Sequence, residues 1–436
     1  MPERLTSRLL GRAVDPEAVF LALEERHADV FWLDAGSTAT EGWSYVGTGE
    51  RASFPGAVRL DVTATRDAHE PPFRSGWVGW YDYESGAGAA GAPVAAHGSD
   101  EGNAWLRVTR LLAVRHDDGA AWVLAQDDLD EWEAFVAAAS SSEVRPVAAP
   151  RQRSALARHS PREYVGLIES CRDLIRAGIA YQLCLTTRFT VAGVDDAVDA
   201  YRRLRAATPA HHGGFLRIGE KSLLSASPEQ FLQAHGGVIR TRPIKGTRPR
   251  GADPETDAAL AAELAVDEKE RAENVMIVDL MRNDLSQVCV PGTIRVDALW
   301  AVETYPAVHQ LVSTVSGTAA SGADVSALFA AAAPAGSMTG APKLSAMTRL
   351  YELEGGPRGV YAGCFGFVGD DGALDLAMVI RSIVVDGGEA VVGAGGGITW
   401  RSVAASEVAE VATKASAPLA ALGADTPVAW ASDILN

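Results

Sequence analysis

Short apolar runs with aromatic and β-branched side chains dominate the first part of the chain, and glycines separate them. Val30–Leu33 and Trp77–Tyr83 are two such runs. Branched and aromatic side chains pack well on a pleated surface, so the pattern favours strands. We therefore expect a sheet with few helices in this part of the chain.

Beyond residue 150 the apolar residues follow the spacing of a helix instead. Ser160 and Glu163 stand three residues apart, as in a capping box, and Pro161 occupies the first helical position. The apolar residues that follow repeat with a helical period, at Val165, Ile168, Cys171, Leu174 and Ile175. The later pattern predicts helices at Thr256–Met281 and Ser406–Ala421, and strands at Tyr181–Phe189, Gly237–Ile244, Val360–Val368, Leu374–Val385 and Ala390–Val392.

These elements predict the fold class and its division along the chain. Strands and helices alternate irregularly, and several consecutive strands are close enough to pair antiparallel, which is typical of an α+β fold. Ala137–Arg151 is small and polar, and it predicts a boundary between residues 1–145 and residues 152–425. Gly86–Ser99 consists mostly of Gly, Ala and Pro and predicts a loop.

The composition narrows the class of protein. Among 436 residues, 39 Lys and Arg face 56 Asp and Glu, a formal net charge of −17. This balance argues against a nucleic-acid partner, because nucleic-acid binders carry a basic face that neutralises phosphates. No apolar run reaches the roughly 18 residues of a membrane span, so we expect no membrane partner. Four widely spaced cysteines match neither a zinc site nor a dense disulfide framework, and they favour a reducing cytoplasm.

The densest cluster of cations lies in Arg240–Arg250, which holds five cations and no acid. A solvated, positively charged loop is one interpretation. The cations surround the sequence Pro-Ile-Lys-Gly-Thr at a strand end, however, where ligand contacts are common. Neighbouring cations lower the pKa of a lysine and leave more neutral amine, so a nucleophilic Lys245 is the other interpretation.

Two pairs of glutamates have helical spacing. Glu270 and Glu273 stand three residues apart on the long predicted helix. Glu407 and Glu410 stand three apart on the last helix, and Lys414 continues their face. A solvated face is the usual reason for one such pair. Two pairs can instead converge on a divalent cation, because Mg²⁺ prefers a few carboxylates and retained water.

Two glycine-rich segments and two single residues complete the candidates. Gly336–Lys343 resembles an anion-cradling loop before a helix, but it lacks the spacing of a P-loop. Gly393–Gly397 lacks the context of a dinucleotide-binding fold. For His309 considered by itself, a buried structural histidine is the favoured interpretation. Arg381 ends an apolar strand, where a buried arginine needs an anion.

Several specific motifs follow one another between residues 160 and 420. They are Tyr181–Arg188, Ser227–Glu229, Arg242–Thr247, Asp267–Asp284, His309–Ser313, Gly336–Lys343 and Gly395–Lys414. Together they resemble the chorismate-utilising enzymes, a family that includes anthranilate, aminodeoxychorismate, isochorismate and salicylate synthases. Gly42–Gly47 and Gly76–Trp80 extend the resemblance more weakly into the first part. The resemblance implies two large, mostly antiparallel β-sheets packed face to face with helices on the outside.

Position 245 distinguishes branches of this family. The anthranilate synthases typically have alanine where this chain has Lys245, whereas aminodeoxychorismate synthases have lysine in a Pro-Ile-Lys-Gly-Thr motif. Isochorismate and salicylate synthases carry a general-base lysine at the position of Gln182. Cys184 stands where the family more often has Asn or Val, which leaves the comparison unchanged. The resemblance therefore implies amination of chorismate at C4 to 4-amino-4-deoxychorismate, for 4-aminobenzoate and hence folate or a secondary metabolite.

The resemblance also implies a partner protein, and two alternative functions are compatible with it. No cysteine lies in a Gly-x-Cys-x-Gly nucleophile elbow, so the ammonia is expected from a separate glutamine amidotransferase subunit. One rival is anthranilate synthase component I, which aminates chorismate at C2 and releases pyruvate. Another is a non-catalytic regulatory subunit that binds chorismate or an aromatic amino acid. Its sequence would lack Lys245, Glu229 or a metal-binding glutamate.

A role for each candidate residue follows from the same resemblance. Lys245 forms a covalent adduct at C2, Glu229 protonates the departing C4 hydroxyl as a general acid with an elevated pKa, and His309 is a third catalytic residue. The implied metal is Mg²⁺, bound by Glu273 and Glu410 with Glu270 and Glu407 close by. The implied substrate-binding residues are Arg381, Tyr361, Gly246, Thr247, Thr339, Gly340, Gly395, Gly397 and Lys414.

Overall fold

The computed structural model describes residues 5–63, 69–95, 102–306 and 308–431. Its strands are β1 (Thr6–Leu10), β2 (Val30–Asp34), β3 (Trp43–Ala52), β4 (Gly76–Tyr81), β5 (Ala104–Arg115), β6 (Ala121–Ala125), β7 (Arg153–Ala157), β8 (Gln182–Ala192), β9 (His212–Ile218), β10 (Lys221–Ser227), β11 (Gln230–His235), β12 (Val238–Thr241), β13 (Ile244–Pro249), β14 (Arg295–Thr304), β15 (Val308–Thr318), β16 (Gly340–Ala341), β17 (Cys364–Gly369), β18 (Leu374–Met378), β19 (Ser382–Asp386), β20 (Glu389–Ile398) and β21 (Ala424–Asp425). Its helices are α1 (Pro16–Glu24), α2 (Tyr83–Ala89), α3 (Leu129–Ser140), α4 (Pro161–Arg176), α5 (Ala197–Ala207), α6 (Pro254–Val266), α7 (Glu268–Ser286), α8 (Val325–Ala332), α9 (Lys343–Glu354), α10 (Ala404–Ala421) and α11 (Val428–Ala431), with a short 3-10 turn at Gly336–Met338.

Nineteen of the described strands form two antiparallel sheets that share β5, while β16 pairs with β8 and β21 pairs parallel with β7. One sheet runs β7–β8–β20–β19–β10–β9–β2–β3–β5–β6–β1. The other runs from β5 through β4, β17, β18, β11 and β12 to β15, which also pairs with β13 and β14. The first half of β5 pairs with β4 and its second half pairs with β6, so one strand turns the corner between the sheets.

Side-chain alternation along the strands places the two sheets face to face. Phe31 of β2 and Phe365 of β17 lie in the same buried cluster, although they belong to different sheets. The next residue of β2, Trp32, points to the opposite face and packs with the helical cluster that includes residues of α1, α3, α4 and α10. Residues of α7 and α8 cover the outer face of the second sheet. The predicted arrangement of two facing sheets with outer helices is therefore confirmed.

Strands from both sides of the predicted boundary contribute to the same sheets. The boundary stretch lies between α3 and β7, but β2 pairs with β9 and β4 pairs with β17. Residues 1–145 and residues 152–425 are thus interleaved, and their division into two units stays a prediction. In the described ranges, none of the helices has the length and apolar character that crossing a membrane requires.

Several predicted elements differ from the observed ones. The strand predicted at Gly237–Ile244 divides into β12 and β13, and the strand predicted at Val360–Val368 begins only at Cys364. The long helix breaks at Asp267, whose side chain caps the start of α7 by accepting from the Lys269 and Glu270 N–H groups at 2.9 and 3.0 Å. The strand predicted at Leu374–Val385 divides into β18 and β19 around Arg381, which has a φ of +52°. The loop predicted at Gly86–Ser99 begins inside α2, and its residues 96–99 lie outside the described ranges.

Candidate active site

A cavity of about 610 Å³ lies where β13, β20, α7, α10 and the turn Gly336–Met338 meet. Most of the residues predicted from the sequence line it. They are Glu229, Lys245, Gly246, Thr247, Glu270, Glu273, Tyr361, Arg381, Gly395, Gly397, Glu407, Glu410 and Lys414. The cavity therefore collects basic, acidic and backbone groups from segments that are far apart in sequence.

Lys245 projects into the cavity from an irregular stretch of β13. The register between β13 and β15 shifts between Ile244 and Thr247, and Gly246 in this stretch has a φ of +80°. A Cβ at Gly246 would lie 2.8 Å from Leu264 and 3.0 Å from Glu270, so only glycine fits between this strand and the helices. The Lys245 Nζ lies 3.7 Å from a carboxylate oxygen of Glu273.

The expected lowering of the Lys245 pKa is wrong. Burial lowers this pKa, but the carboxylates of Glu273 and Glu229 with other nearby groups outweigh burial and raise it. Three of the four arginines in this run have acidic partners of their own. Arg242 pairs with Glu303, Arg248 with Asp267 and Glu263, and Arg250 with Asp257. Lys245 therefore rests as an ammonium ion among carboxylates.

Glu229 occupies the tight connection between β10 and β11 and is buried. The Ser337 hydroxyl donates to its Oε1 at 3.3 Å, and its own N–H donates to the Ser227 hydroxyl at 3.3 Å. Burial raises the pKa of Glu229 to about 7, although Lys245 and Ser337 act in the opposite direction. The expected elevated pKa is confirmed, and the carboxyl group can hold a proton near neutral pH.

The four candidate metal ligands face one another from two helices. Glu270 and Glu273 lie on α7, and Glu407 and Glu410 lie on α10. A Cβ built at Gly396 would lie 3.0 Å from a Glu407 oxygen and 3.8 Å from a Glu410 oxygen, so both carboxylates reach the same stretch of β20. Burial raises the pKa of Glu270, and the neighbouring Glu273 raises it further.

The charges on α10 are partly balanced within the helix. Glu410 pairs with Lys414 at 2.6 Å, and this contact outweighs burial and lowers the pKa of Glu410. Burial raises the pKa of Glu407, with Glu410 acting in the same direction. Each helix thus presents one glutamate that loses its proton less readily than an exposed glutamate.

This donor set fits Mg²⁺ in chemistry but does not form a closed cage. Within the described ranges, the structure brings together no group of three or more His, Cys, Asp or Glu residues that could hold a metal ion. Mg²⁺ usually keeps several waters and uses one or two carboxylates together with anionic groups of a substrate. Four glutamates around one cavity therefore fit an ion that is shared with a bound anion.

Arg381 lies at the break between β18 and β19 and lines the cavity. Burial lowers the pKa of its guanidinium, with Tyr361 and Glu410 acting against burial. It makes no ion pair within 4.0 Å with any described carboxylate. Tyr361 lies beside it against Gly393, where a Cβ would lie 2.2 Å from the tyrosine ring. The arrangement leaves a half-buried cation open to an anionic ligand.

Gly395 and Gly397 lie on an unpaired edge of β20. The pairing with β19 ends at Val392, so the following residues of β20 pair only with β8 among the described strands. Lys414 Nζ donates to the Gly395 carbonyl at 2.8 Å. In an antiparallel strand the N–H and C=O of one residue point to the same edge, so the Gly395 N–H also lies on this edge, and Gly397 follows two residues later. Both N–H groups can donate to an anion in the cavity.

His309 does not line the cavity. Its neighbours Val308 and Gln310 do, because alternate side chains of β15 point to opposite faces. The His309 ring faces α6 instead, where Nε2 lies 2.9 Å from Asp257 and Nδ1 lies 2.9 Å from the Thr304 hydroxyl. The structure therefore does not bring His309 together with the other candidate catalytic residues.

Thr339 and Gly340 also lie outside the cavity wall. Thr339 is fully buried, and its hydroxyl donates to the Ala335 carbonyl at 3.1 Å. Gly340 pairs with Leu183 in β8. The two residues hold the turn Gly336–Met338 against β8, and Ser337 of that turn is the residue that reaches the cavity.

Sequence reasoning missed several residues of the wall. Ser337 lies in the segment Gly336–Lys343, but no spacing of residues in the sequence marks it as part of a site. Lys269 stands four residues before Glu273, and its Nζ lies 3.9 Å from the Glu273 carboxylate, so the helical spacing of an ion pair could have revealed it. Gln310 had no sequence signal, because only the register of β15 decides which of its side chains face inward.

Sequence and structure comparisons agree with the fold. The profile of the chorismate binding enzyme family matches residues 23–420, and the chain belongs to that family. The aminodeoxychorismate synthase of Streptomyces pristinaespiralis is 42% identical, over 83% of this chain and 52% of its own length. The anthranilate synthase component 1 of Streptomyces coelicolor is 38% identical, over 81% of this chain and 73% of that protein. The crystal structure of anthranilate synthase component I from Streptococcus pneumoniae has a TM-score of 0.71 at 26% identity, covering 96% of this chain and 93% of that one.

The family prediction made from the motifs is thus confirmed. The chain spans about half the length of the Streptomyces aminodeoxychorismate synthases that it matches, 52% in one case and 50% in another. Membership of the family therefore does not by itself assign to this chain the complete activity of such a relative.

Proposed function

We propose that the chain aminates chorismate at C4 and produces 4-amino-4-deoxychorismate. The observation that carries the proposal is the pairing, in one cavity, of the amine of Lys245 with Glu229, whose pKa of about 7 suits a general acid. Lysine at position 245 is the feature that separates this branch of the family from the anthranilate synthases.

Lys245 acts as the nucleophile at C2 once its ammonium group has released a proton to solvent, and it leaves again as the neutral amine when the adduct breaks down. A bond forms between its Nζ and C2, the two ring double bonds shift by one position, and the bond from C4 to its hydroxyl oxygen breaks. Glu229 donates its proton to that oxygen, which leaves as water. Ammonia then bonds to C4, the double bonds shift back, and the bond from Lys245 to C2 breaks. Glu229, now ionised, takes up the proton that the added ammonia loses.

The two carboxylates of chorismate require two cationic ends of the cavity. Arg381, Tyr361 and the N–H groups of Gly395 and Gly397 bind the enolpyruvyl carboxylate. Glu273 and Glu410, with Glu270 and Glu407 close by, would hold Mg²⁺ near the ring carboxylate. Bound there, the ion would neutralise that carboxylate, withdraw electrons from the ring, and relieve Lys245 of the acidic neighbours that keep it protonated.

A separate glutamine amidotransferase subunit supplies the ammonia. The four cysteines, Cys171, Cys184, Cys289 and Cys364, are buried free thiols, and burial raises the pKa of each, so none is poised as the thiolate of a glutaminase. Free thiols also fit the reducing cytoplasm that we propose as its location. The Klebsiella aerogenes relative, 43% identical over 58% of this chain, is itself called component 1.

Identification of the product tests the proposed function. The purified chain is incubated with chorismate, Mg²⁺ and ammonium, and the product is identified by mass spectrometry. We expect an aminated, non-aromatic product without pyruvate release. Anthranilate with pyruvate would replace the proposal by the rival that the Streptomyces coelicolor relative represents, and no turnover would favour a regulatory subunit.

Glu273→Gln is expected to raise the Mg²⁺ concentration needed for half-maximal rate by roughly tenfold or more, because a neutral amide is a weaker ligand for a hard cation. The measurement is a Mg²⁺ titration of the amination rate. Glu268→Gln, an exposed glutamate on the same helix, is the matched control. An unchanged titration in Glu273→Gln would remove this residue from the proposed ligand set.

Arg381→Met is expected to raise the KM for chorismate by roughly 10- to 100-fold, since charge-assisted hydrogen bonds contribute about 1.5–3 kcal/mol. The midpoint of thermal unfolding should not fall, because the variant removes a half-buried cation that lacks a described carboxylate partner. Steady-state kinetics and a thermal melt check both parts. A wild-type KM would place the enolpyruvyl carboxylate elsewhere.

A further inference from the structure

Arg358 lies outside the cavity, yet its side chain contacts two segments of the cavity wall. Its Nη1 donates to the Met338 carbonyl at 2.6 Å, and its Nη2 donates to the Cys184 carbonyl at 2.8 Å. Met338 and Cys184 both line the cavity, the first from the turn Gly336–Met338 and the second from β8. The Arg358 side chain itself is only 2% exposed.

The remaining donors of Arg358 anchor it to a buried acid. Its Nε and Nη2 donate to the two carboxylate oxygens of Glu354 at 2.8 and 2.7 Å. Glu354 also accepts from the Thr186 N–H at 2.8 Å and from the Thr186 hydroxyl at 2.9 Å. The guanidinium stacks over the Tyr83 ring at 4.2 Å. A buried ion pair needs such complete hydrogen bonding to offset the loss of water, so the geometry of Arg358 is fixed on every side.

The contact with Met338 connects this buried pair to the proposed acid. Ser337 precedes Met338 in the same turn, and its hydroxyl donates to Glu229 at 3.3 Å. We propose that Arg358 is a positioning residue: by holding the Met338 carbonyl it keeps the Ser337 hydroxyl in hydrogen-bonding reach of Glu229. The catalytic consequence rests on the proposed function, in which Glu229 is the general acid.

Arg358→Lys is the first test of this role. Lysine keeps the positive charge for Glu354, but a single ammonium cannot reproduce the planar fork that reaches two carbonyls at once. The turn then loses its anchor, and Glu229 loses the Ser337 hydrogen bond that lowers its pKa. We expect kcat to fall about tenfold with little change in KM, and the alkaline limb of the rate to move to higher pH by roughly half a unit to one unit.

Ser337→Ala should move the alkaline limb of the rate to higher pH by the same amount, because it removes the same hydrogen bond to Glu229 directly. The double variant should then show no further displacement, since the two residues act through one contact. Displacements that add in the double variant would overturn the proposal. The proposal would also be overturned if the alkaline limb of the rate in Arg358→Lys coincided with that of the wild type.

Arg158→Lys is the matched control for a purely structural effect. Arg158 also donates to backbone carbonyls, those of Glu354 at 3.3 Å, Gly356 at 3.0 Å and Pro357 at 2.7 Å, but none of these three residues lines the cavity. We expect it to lower the unfolding temperature without moving the pH limb. An equal movement of the limb in Arg158→Lys would mean that general loosening, and not the Met338 contact, shifts Glu229.

Two further measurements keep the proposal testable if activity or folding fails. Infrared titration of the Glu229 carboxyl, assigned with Glu229→Gln, reports its protonation without turnover, so it tests the role of Arg358 even if the wild type makes another product. If Arg358→Lys does not fold, Glu354→Gln keeps the shape of the acid and removes its charge. It should move the Glu229 titration to higher pH, and an unmoved titration would overturn the proposal.

Discussion

Lys245→Ala should reduce C4 amination on the order of 10³-fold or more, because it removes the proposed nucleophile and with it the first of two displacements at the ring. No other described lysine takes over this position. Lys269 pairs with Glu273 at 3.9 Å from the α7 side, and Lys414 is bound to Glu410 and to the Gly395 carbonyl. Ammonia can still enter the cavity, so slow direct addition to the ring, with amination at a different carbon, is the expected residual reaction.

Rate and adduct measurements together check this prediction. The amination rate and the position of the new C–N bond are determined for the variant and for Lys221→Ala, a lysine of β10 that pairs with Asp386 outside the cavity. The wild type, quenched without ammonium, should carry a covalent mass equal to chorismate minus water on Lys245. A variant that aminates C4 at the wild-type rate would eliminate the covalent step, whereas loss in both lysine variants would indicate a general effect on folding.

The electrostatic setting of Lys245 shows what a sequence reveals and what it hides. Five cations between residues 240 and 250 are visible in the sequence, and they favoured a lowered pKa. In the fold, Arg242, Arg248 and Arg250 each pair with an acid that lies outside the run of cations, while glutamates of α7 and α10 surround the lysine. Charge density is thus readable from the sequence, but the side of the strand on which each charge lies is not.

Helix periodicity and strand alternation differ in how well the sequence alone shows which side chains face the cavity. The spacing of Glu270, Glu273, Glu407 and Glu410 follows from helix periodicity, and all four line the cavity. His309 stood in an equally specific motif, but strand alternation turned it toward α6. Gly393–Gly397 lay beyond the strand predicted at Ala390–Val392, because glycine has a low strand propensity, yet β20 pairs with β8 over its whole length. The close approach of the Tyr361 ring at Gly393 explains why glycine occurs there.

Arg358 marks the limit of reading function from motifs. Its sequence neighbourhood gave no reason to single it out, and its contacts with Cys184, Met338 and Glu354 join residues from three separate elements. Such a residue is found only when the long-range hydrogen bonds are known. Residues that touch the ligand are therefore easier to predict from sequence than residues that hold those residues in place.

Glu229→Gln should reduce the amination rate by roughly 10²- to 10⁴-fold, the range that loss of a general acid produces. Glutamine keeps the size of the side chain and can still accept from Ser337, so substrate affinity should change little. At saturating Mg²⁺, where we propose that Lys245 is neutral, the wild-type rate should fall as the pH rises through about 7, because the acid form of Glu229 is lost there. In the variant this limb should be absent, since an amide does not titrate in that range.

The pH profile separates this effect from simple damage to the cavity. Glu389→Gln, an exposed glutamate at the start of β20, is the matched control and should keep both the rate and the limb. A Glu229→Gln enzyme that is slow but retains the limb near pH 7 would assign that ionisation to another group. Among the described carboxyl groups of the cavity wall, Glu270 and Glu407 also have raised pKa values, so the corresponding glutamine variants would then identify the proton donor.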